Sequence, residues 1–194
     1  MAGRPREFDE GAALEAAIDC FTRYGYEATS VRDLSDRMKI SGPSLYNAFG
    51  DKRALFLRAV EYYQDQNARS MIKRLERSFS PKEAVLLFFD EIIEYSINDR
   101  NRRGCLVVNS VLDVASRDKK LAAVVASSFA EIEAFFYRSI KAAQAQGTVP
   151  PERRAKDLAR LLLGILLGIR VLARVKPERS LLSDLARPAL ALLD

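Results

Sequence analysis

Apolar side chains recur along this chain at intervals of three and four, and the rhythm breaks at a small set of Gly, Pro, Ser and Asp positions. Leu14, Ala17, Ile18 and Phe21 share one face of a first predicted helix that begins near Asp9. Tyr24-Gly25-Tyr26 stops it, with Gly25 suited to the positive φ that follows a helix end. Ser30, three residues before Asp33, reads as the N-cap of a short second helix running to about Met38. Lys39-Ile40-Ser41 is a turn, and Gly42–Phe49 then forms a third short helix with Ser41 as cap and Pro43 in its first turn. Gly50 closes it, and Asp51 caps a long fourth helix whose stripe is Leu55, Phe56, Ala59, Val60 and Tyr63, continuing to about Arg77.

Ser80-Pro81 opens a fifth helix carrying Val85, Phe88, Phe89, Ile92, Ile93 and Tyr95, and Gly104 to Ala115 reads as a sixth. Lys119 to Gln146 is a long seventh helix stopped by Gly147 and two prolines, Glu152 to Lys176 an eighth, and a ninth runs from about Arg179. No stretch alternates with period two. The expected fold is all-α, with about nine helices: an N-terminal three-helix domain over residues 1–53 and a helical domain over residues 54–194.

Composition narrows what such a fold can do. The 194 residues are 48% hydrophobic, enough for a real core. The N-terminus is polar and basic, unlike a secretory leader. The most apolar run, Leu161 to Ile169, is too short to span a bilayer. The expectation is a cytoplasmic protein with no membrane association. Cys20 and Cys105 are far apart and imply no disulfide framework. The chain contains no histidine, which removes the commonest general base and the commonest metal ligand together. Neither a phosphate-cradling Gly-rich loop nor a G-x-S-x-G elbow is present, so neither an enzyme nor a cofactor is expected. The net charge of +5 invites a nucleic-acid reading, yet residues 1–53 hold 8 Lys/Arg against 9 Asp/Glu while residues 101–194 hold 16 against 9. DNA binding by the N-terminal domain would therefore rest on local placement of a few groups.

The second helix, its three-residue turn and the short third helix form the arrangement that lays a recognition helix in a major groove. The stretch Phe21 to Leu55, FTRYGYEATSVRDLSDRMKISGPSLYNAFGDKRAL, closely resembles the N-terminal signature of TetR-type transcriptional regulators, through Phe21, Gly25, Tyr26, Thr29, Val31, Leu34, Ile40, Ser41, Leu45, Tyr46, Phe49, Lys52 and Leu55. Ala48 stands where that family often has histidine, and Gly42-Pro43 replaces its usual lysine-glycine pair. Both departures bear on which operator is read.

Within this frame Phe21, Leu34, Ile40, Leu45 and Phe49 are expected in the core. The third helix has no charged side chain, so base readout falls to Ser41, Gly42, Pro43 and Ser44 at its tip. Tyr46 and Asn47 are better placed for phosphates, as the resemblance also implies. Lys52 with the free N–H groups opening the fourth helix, and Thr29 with Ser30 opening the second, are candidate phosphate sites. Arg4 and Arg6 form a basic arm able to enter a minor groove.

A reader of this size needs a two-fold mate and a palindromic site. The surplus apolar surface for a homodimer lies on the last two helices, at Leu161, Gly164, Ile165, Gly168, Leu172, Leu182 and Leu185. Helices five to seven are rich in aromatics, including Phe88, Phe136 and Tyr95, and a cavity among them with Asn109, Tyr95 or Cys105 as its polar groups would take a small-molecule inducer. Cys105 follows Arg102, Arg103 and Gly104 at a helix start, a setting that raises thiolate fraction, so an electrophilic or oxidising inducer and an apolar one both remain open. The resemblance implies a repressor released from palindromic double-stranded DNA when ligand moves the fourth helix. The alternatives are a helical module that uses its helix-turn-helix for protein contacts, and an enzyme using Cys105 as nucleophile.

Overall fold

The computed structural model describes residues 8–114 and 118–194, apart from the Leu112 side chain. The basic arm with Arg4 and Arg6, and the expected end of the sixth helix at Ala115, lie outside them. The described residues are helical with no strand: α1 Glu10–Tyr24, α2 Val31–Met38, α3 Gly42–Phe49, α4 Lys52–Gln64, α5 Ser70–Ser78, α6 Pro81–Asn98, α7 Leu106–Val114, α8 Lys119–Ala145, α9 Ala155–Val175 and α10 Arg179–Leu190.

Each N-terminal boundary has a local cause. Asp9 caps α1 by accepting from the amides of Gly11 and Ala12. Ser30 and Asp33 form a reciprocal capping box on α2, Ser41 accepts from Ser44 N–H to open α3, and Asp51 accepts from Ala54 N–H to open α4. The turn between α2 and α3 is made by Lys39 in the left-handed region, with φ of 55°. Gly50 at φ 81° ends α3. Together these features fix the reader's angles within one short stretch of chain.

The expected single fourth helix is interrupted. Between α4 and α5 lies a π-helical turn, Asp65–Arg69, without a break in the path. One extra residue in a helix widens it locally and is a frequent mark of a functional site. Here the turn forms part of a cavity wall described below.

Two apolar cores organise the rest. One joins α5, α6, α9, α10 and the C-terminal half of α8 around Phe88, Phe89, Phe135 and Phe136, whose rings stand 5.3–6.2 Å apart between centroids. The other holds α1 to α4, and it also takes in Leu106, Val107 and Val114 of α7 with Leu121 and Val125 of α8. Packing thus crosses the division expected at residue 53: the reader's core is completed by a helix that lies fifty residues further along the chain.

Candidate functional site

The outward surface of the reader is short and polar. On α3 the buried residues are Leu45 and Phe49, which turns Pro43, Ser44, Tyr46 and Asn47 to solvent as one face, with Ser41 exposed at its tip. A Cβ at Gly42 would meet nothing within 4 Å, so this backbone is open to close approach. Tyr46 is 52% exposed, unlike a packing tyrosine.

The polar groups flanking this face are more committed than the sequence suggests. Thr29 is buried, and its hydroxyl donates to Gly25 O at 2.6 Å. The Lys52 ammonium turns inward, donating to Tyr26 O at 3.0 Å and Thr29 O at 3.1 Å, and sits 4.4 Å from the Tyr26 ring centroid. The side chains expected to hold phosphates at Thr29 and Lys52 therefore lock the loop before α2. What they leave for an anion is Ser30 and the amides of Val31, Arg32, Lys52 and Arg53, since the caps take those of Asp33 and Ala54. Ser30 stays exposed, with its hydroxyl on Asp33.

A cavity of about 100 Å³ lies at the seam between the two cores. Its walls come from the end of α4 and the π turn, from α6, from Cys105 and α7, and from α8 and α9, and they include Tyr63, Phe88, Tyr95, Cys105, Phe129 and Arg170. Of the five residues expected around a ligand, Phe88, Tyr95 and Cys105 are brought together here. Two are corrected. Phe136 is fully buried in the aromatic core and does not line the cavity. Asn109 has its amide on Thr22 O at 3.1 Å and Arg103 O at 2.7 Å, so it ties α7 to α1 instead of facing a ligand.

Arg170 is the lining residue that sequence reasoning missed. It directly follows the apolar run Leu161 to Ile169, yet Leu162, Leu166 and Ile169 are the inward positions of α9, and Arg170 falls on their side at 5% exposure. Its Nη1 donates to Ser96 Oγ at 2.9 Å and its Nη2 to Gly104 O at 3.1 Å, with the guanidinium 5.0 Å from the Tyr95 ring centroid. The Cys105 thiol lies beside both Arg170 and Tyr63, and burial pushes the Tyr63 hydroxyl well above the usual tyrosine pKa.

From the cavity, α7 reaches the reader. Asp113 accepts from Tyr26 N–H at 3.0 Å directly after α1. Just beyond α7, Asp118 forms a bidentate pair with Arg53 at 2.6 and 2.8 Å, and this holds its carboxyl down at a pKa of about 2. Asp19 on α1 binds Arg23, Arg37 of α2 and Arg103 before α7; despite partial burial, these guanidiniums lower its pKa.

The opposite side of α9 bears an exposed stripe. Leu161 and Leu172 are 41% and 38% exposed, Val171 and Val175 more so, and Gly164 and Gly168 lie between with open space where a Cβ would be. Ile165 and, on α10, Leu185 are half-buried beside it. Leu182, expected at the same surface, is fully buried, because α10 packs against α6 and α9 within the same chain. Among the described residues no helix is long and apolar enough to cross a membrane, and no group of His, Cys, Asp and Glu could hold a metal.

Residues 13–59 match the family model for bacterial regulatory proteins, tetR family, and residues 81–188 match that for the tetracyclin repressor-like C-terminal domain. The uncharacterized HTH-type transcriptional regulator YezE of Bacillus subtilis (strain 168) is 33% identical, over 99% of this chain and 100% of its own. The HTH-type transcriptional repressor ComR of Escherichia coli (strain K12) is 29% identical, over 98% of this chain and 91% of its own. Among solved structures, a cysteine mutant of the TetR family regulator CifR complexed with 26 bp operator DNA superimposes with a TM-score of 0.88 at 31% identity, covering 98% of this chain and 100% of that one.

Proposed function

The chain belongs to the tetR family of bacterial regulatory proteins and is a helix-turn-helix transcriptional regulator, and from that premise we propose that it is a homodimeric repressor whose cavity takes the inducer. The dimer joins along the α9 stripe of Leu161, Gly164, Ile165, Gly168 and Leu172 with Leu185, where missing side chains at the glycines let two helices approach closely. Each protomer lays α3 in the major groove of one half of a palindrome. Ser41, Gly42, Pro43 and Ser44 meet bases, while Tyr46, Asn47, Ser30 and the first-turn amides of α2 and α4 meet phosphates. In this reading the protein works by binding, in the compartment that holds its DNA, and the two units divide the work as reader and sensor.

The observation that carries the proposal is that α7 is shared. It begins just after Cys105 on the cavity wall and carries Asn109 and Asp113, which hold Thr22 and Tyr26 of the reader. A molecule that displaces α7 and the π turn therefore changes the pose of α1 and α4, and with it the separation of the two recognition helices. A second route rests on Cys105 itself: an electrophile that alkylates this thiol would push the same wall. Selection from random duplexes at two salt concentrations tests the first premise. A palindrome bound with steep salt dependence is expected, and an unenriched pool refutes it. Operator release by N-ethylmaleimide that persists in Cys105→Ser would remove the second route.

A further inference from the structure

Nothing in the apolar lining explains why the cavity contains a guanidinium. Arg170 is 5% exposed; it donates to two neutral acceptors, Ser96 Oγ and Gly104 O, and the Cys105 thiol lies against it. Tyr95 beneath it supplies a ring face and no charge. Among the described residues no carboxylate lies within 4.0 Å of it. Asp99, on the neighbouring loop, makes no ion pair with it: its Oδ2 accepts from Gly104 N–H at 3.0 Å, and its Oδ1, without a hydrogen bond, stands 3.6 Å from Arg103 Nε. The other arginine on the wall, Arg69, is already paired with Glu131, Glu61 and Asp65. A buried cation without a counterion is costly, and a neutral glutamine could satisfy one or both of the same acceptors. The guanidinium is thus buried without an ion pair among the described residues.

We propose that Arg170 anchors an anionic ligand group, and that the cavity takes a small amphipathic carboxylate with its apolar body among Phe88, Ile92, Phe129 and Ile132. The guanidinium has five N–H donors, so Ser96, Gly104 and the Cys105 thiol together leave about two for a carboxylate. Tyr63, kept protonated by its burial, adds a hydroxyl donor on the same side. A carboxylate so held lies against Cys105 and covers its thiol. This inference rests on the cavity being the inducer site.

Calorimetric titration of the full-length protein with hexanoate and benzoate, against hexanamide and benzamide, tests it. The acids should bind at least about tenfold more tightly than the amides, the ratio expected of a charge-assisted bond. They, and not the amides, should slow alkylation of Cys105 by iodoacetamide, read on the Cys105 peptide. Arg170→Gln should abolish the preference, and Arg170→Lys should keep part of it. Equal affinity for acids and amides, absence of binding by both acids, or an unchanged preference in Arg170→Gln would each overturn the proposal. The acid-to-amide comparison in the native chain stands even if Arg170→Gln does not fold. Operator binding of the unliganded protein, followed alongside, separates the two levels: its absence counts against the repressor reading, and its presence without acid preference counts against the anion anchor alone.

Discussion

At Gly25 the reader lies against Asp113 of α7, and replacing this glycine measures that contact directly. Its φ is 83°, and a Cβ built on it overlaps the Asp113 carboxylate oxygen that accepts from Tyr26 N–H. Gly25→Ala therefore incurs two separable costs. Holding a residue with a Cβ at this φ with ψ of 166°, a region all but restricted to glycine, costs about 1–3 kcal/mol. Displacing Asp113 leaves the Tyr26 amide without its acceptor, which costs about 1–2 kcal/mol more. The sum, about 2–5 kcal/mol, corresponds to a Tm lowered by roughly 10 °C for a chain of this length. Asp113→Ala alone should lose only the second part. In the double variant the obstruction is gone and only the backbone cost is added, so the two changes together should fall short of additivity by about 1 kcal/mol. Urea denaturation of the four proteins gives the cycle. Additivity within about 0.5 kcal/mol would mean the two residues do not meet, and the close approach of α7 to the reader would have to be given up.

Three other outcomes follow from the same geometry. Gly164→Glu introduces a charge into the exposed α9 stripe where its Cβ meets nothing within 4 Å, so the helical content should be unchanged while sedimentation shows a monomer and operator affinity collapses; a stable dimer would place the interface elsewhere. Asp118 has a folded pKa of about 2, below its ordinary value of 3.8, so its pairing with Arg53 contributes stability above about pH 4 that is lost as pH falls towards 2. Asp118→Asn should remove that part of the acid dependence and leave the neutral-to-alkaline limb untouched, as read by thermal melts from pH 2 to 8. Deleting Ala68 should convert the π turn into regular α-helix without rotating α4 against α5, giving a folded protein that binds operator but has lost response to cavity ligands; unaltered response would show that the turn is incidental.

The sequence made the reader legible because its boundaries are local. Asp9, Ser30, Ser41 and Asp51 each cap a helix within three residues, and Gly50 needs no distant partner to end α3. What stayed hidden depends on pairs remote in the chain. Asp113 with Tyr26 and Asn109 with Thr22 are each separated by 87 positions, and Arg53 with Asp118 by 65, and no periodicity reports such contacts. The inward turn of Lys52 is of the same kind, since it depends on carbonyls that the Tyr26–Thr29 loop presents only once folded. The π turn escaped because one inserted residue leaves the apolar stripe on either side intact. Leu182 was misplaced because counting apolar residues on α9 and α10 does not say how many are consumed by α6. Arg170 could have been found: it continues the inward series Leu162, Leu166 and Ile169, and a cation there is a departure from pattern that composition alone does not register.

Sharing α7 between the two halves explains why a cavity of about 100 Å³ can matter to a surface far from it. Its nine residues rise about 13 Å, a length over which a helix tilts more readily than it bends. One end is set by Cys105 on the cavity wall. The other is held by Asp113 to Tyr26 just after α1, and α8 begins there with Asp118 on Arg53 of α4. With Leu106, Val107 and Val114 buried in the reader's own core, a tilt of α7 cannot be absorbed by a loose joint and must be met by movement of α1 and α4. In the proposed mechanism the coupling is reciprocal: whatever factor a cavity ligand takes from operator affinity, bound operator takes from the ligand. A flexible linker between reader and sensor would have allowed both to bind independently, and the close packing at Gly25 is what denies the chain that freedom.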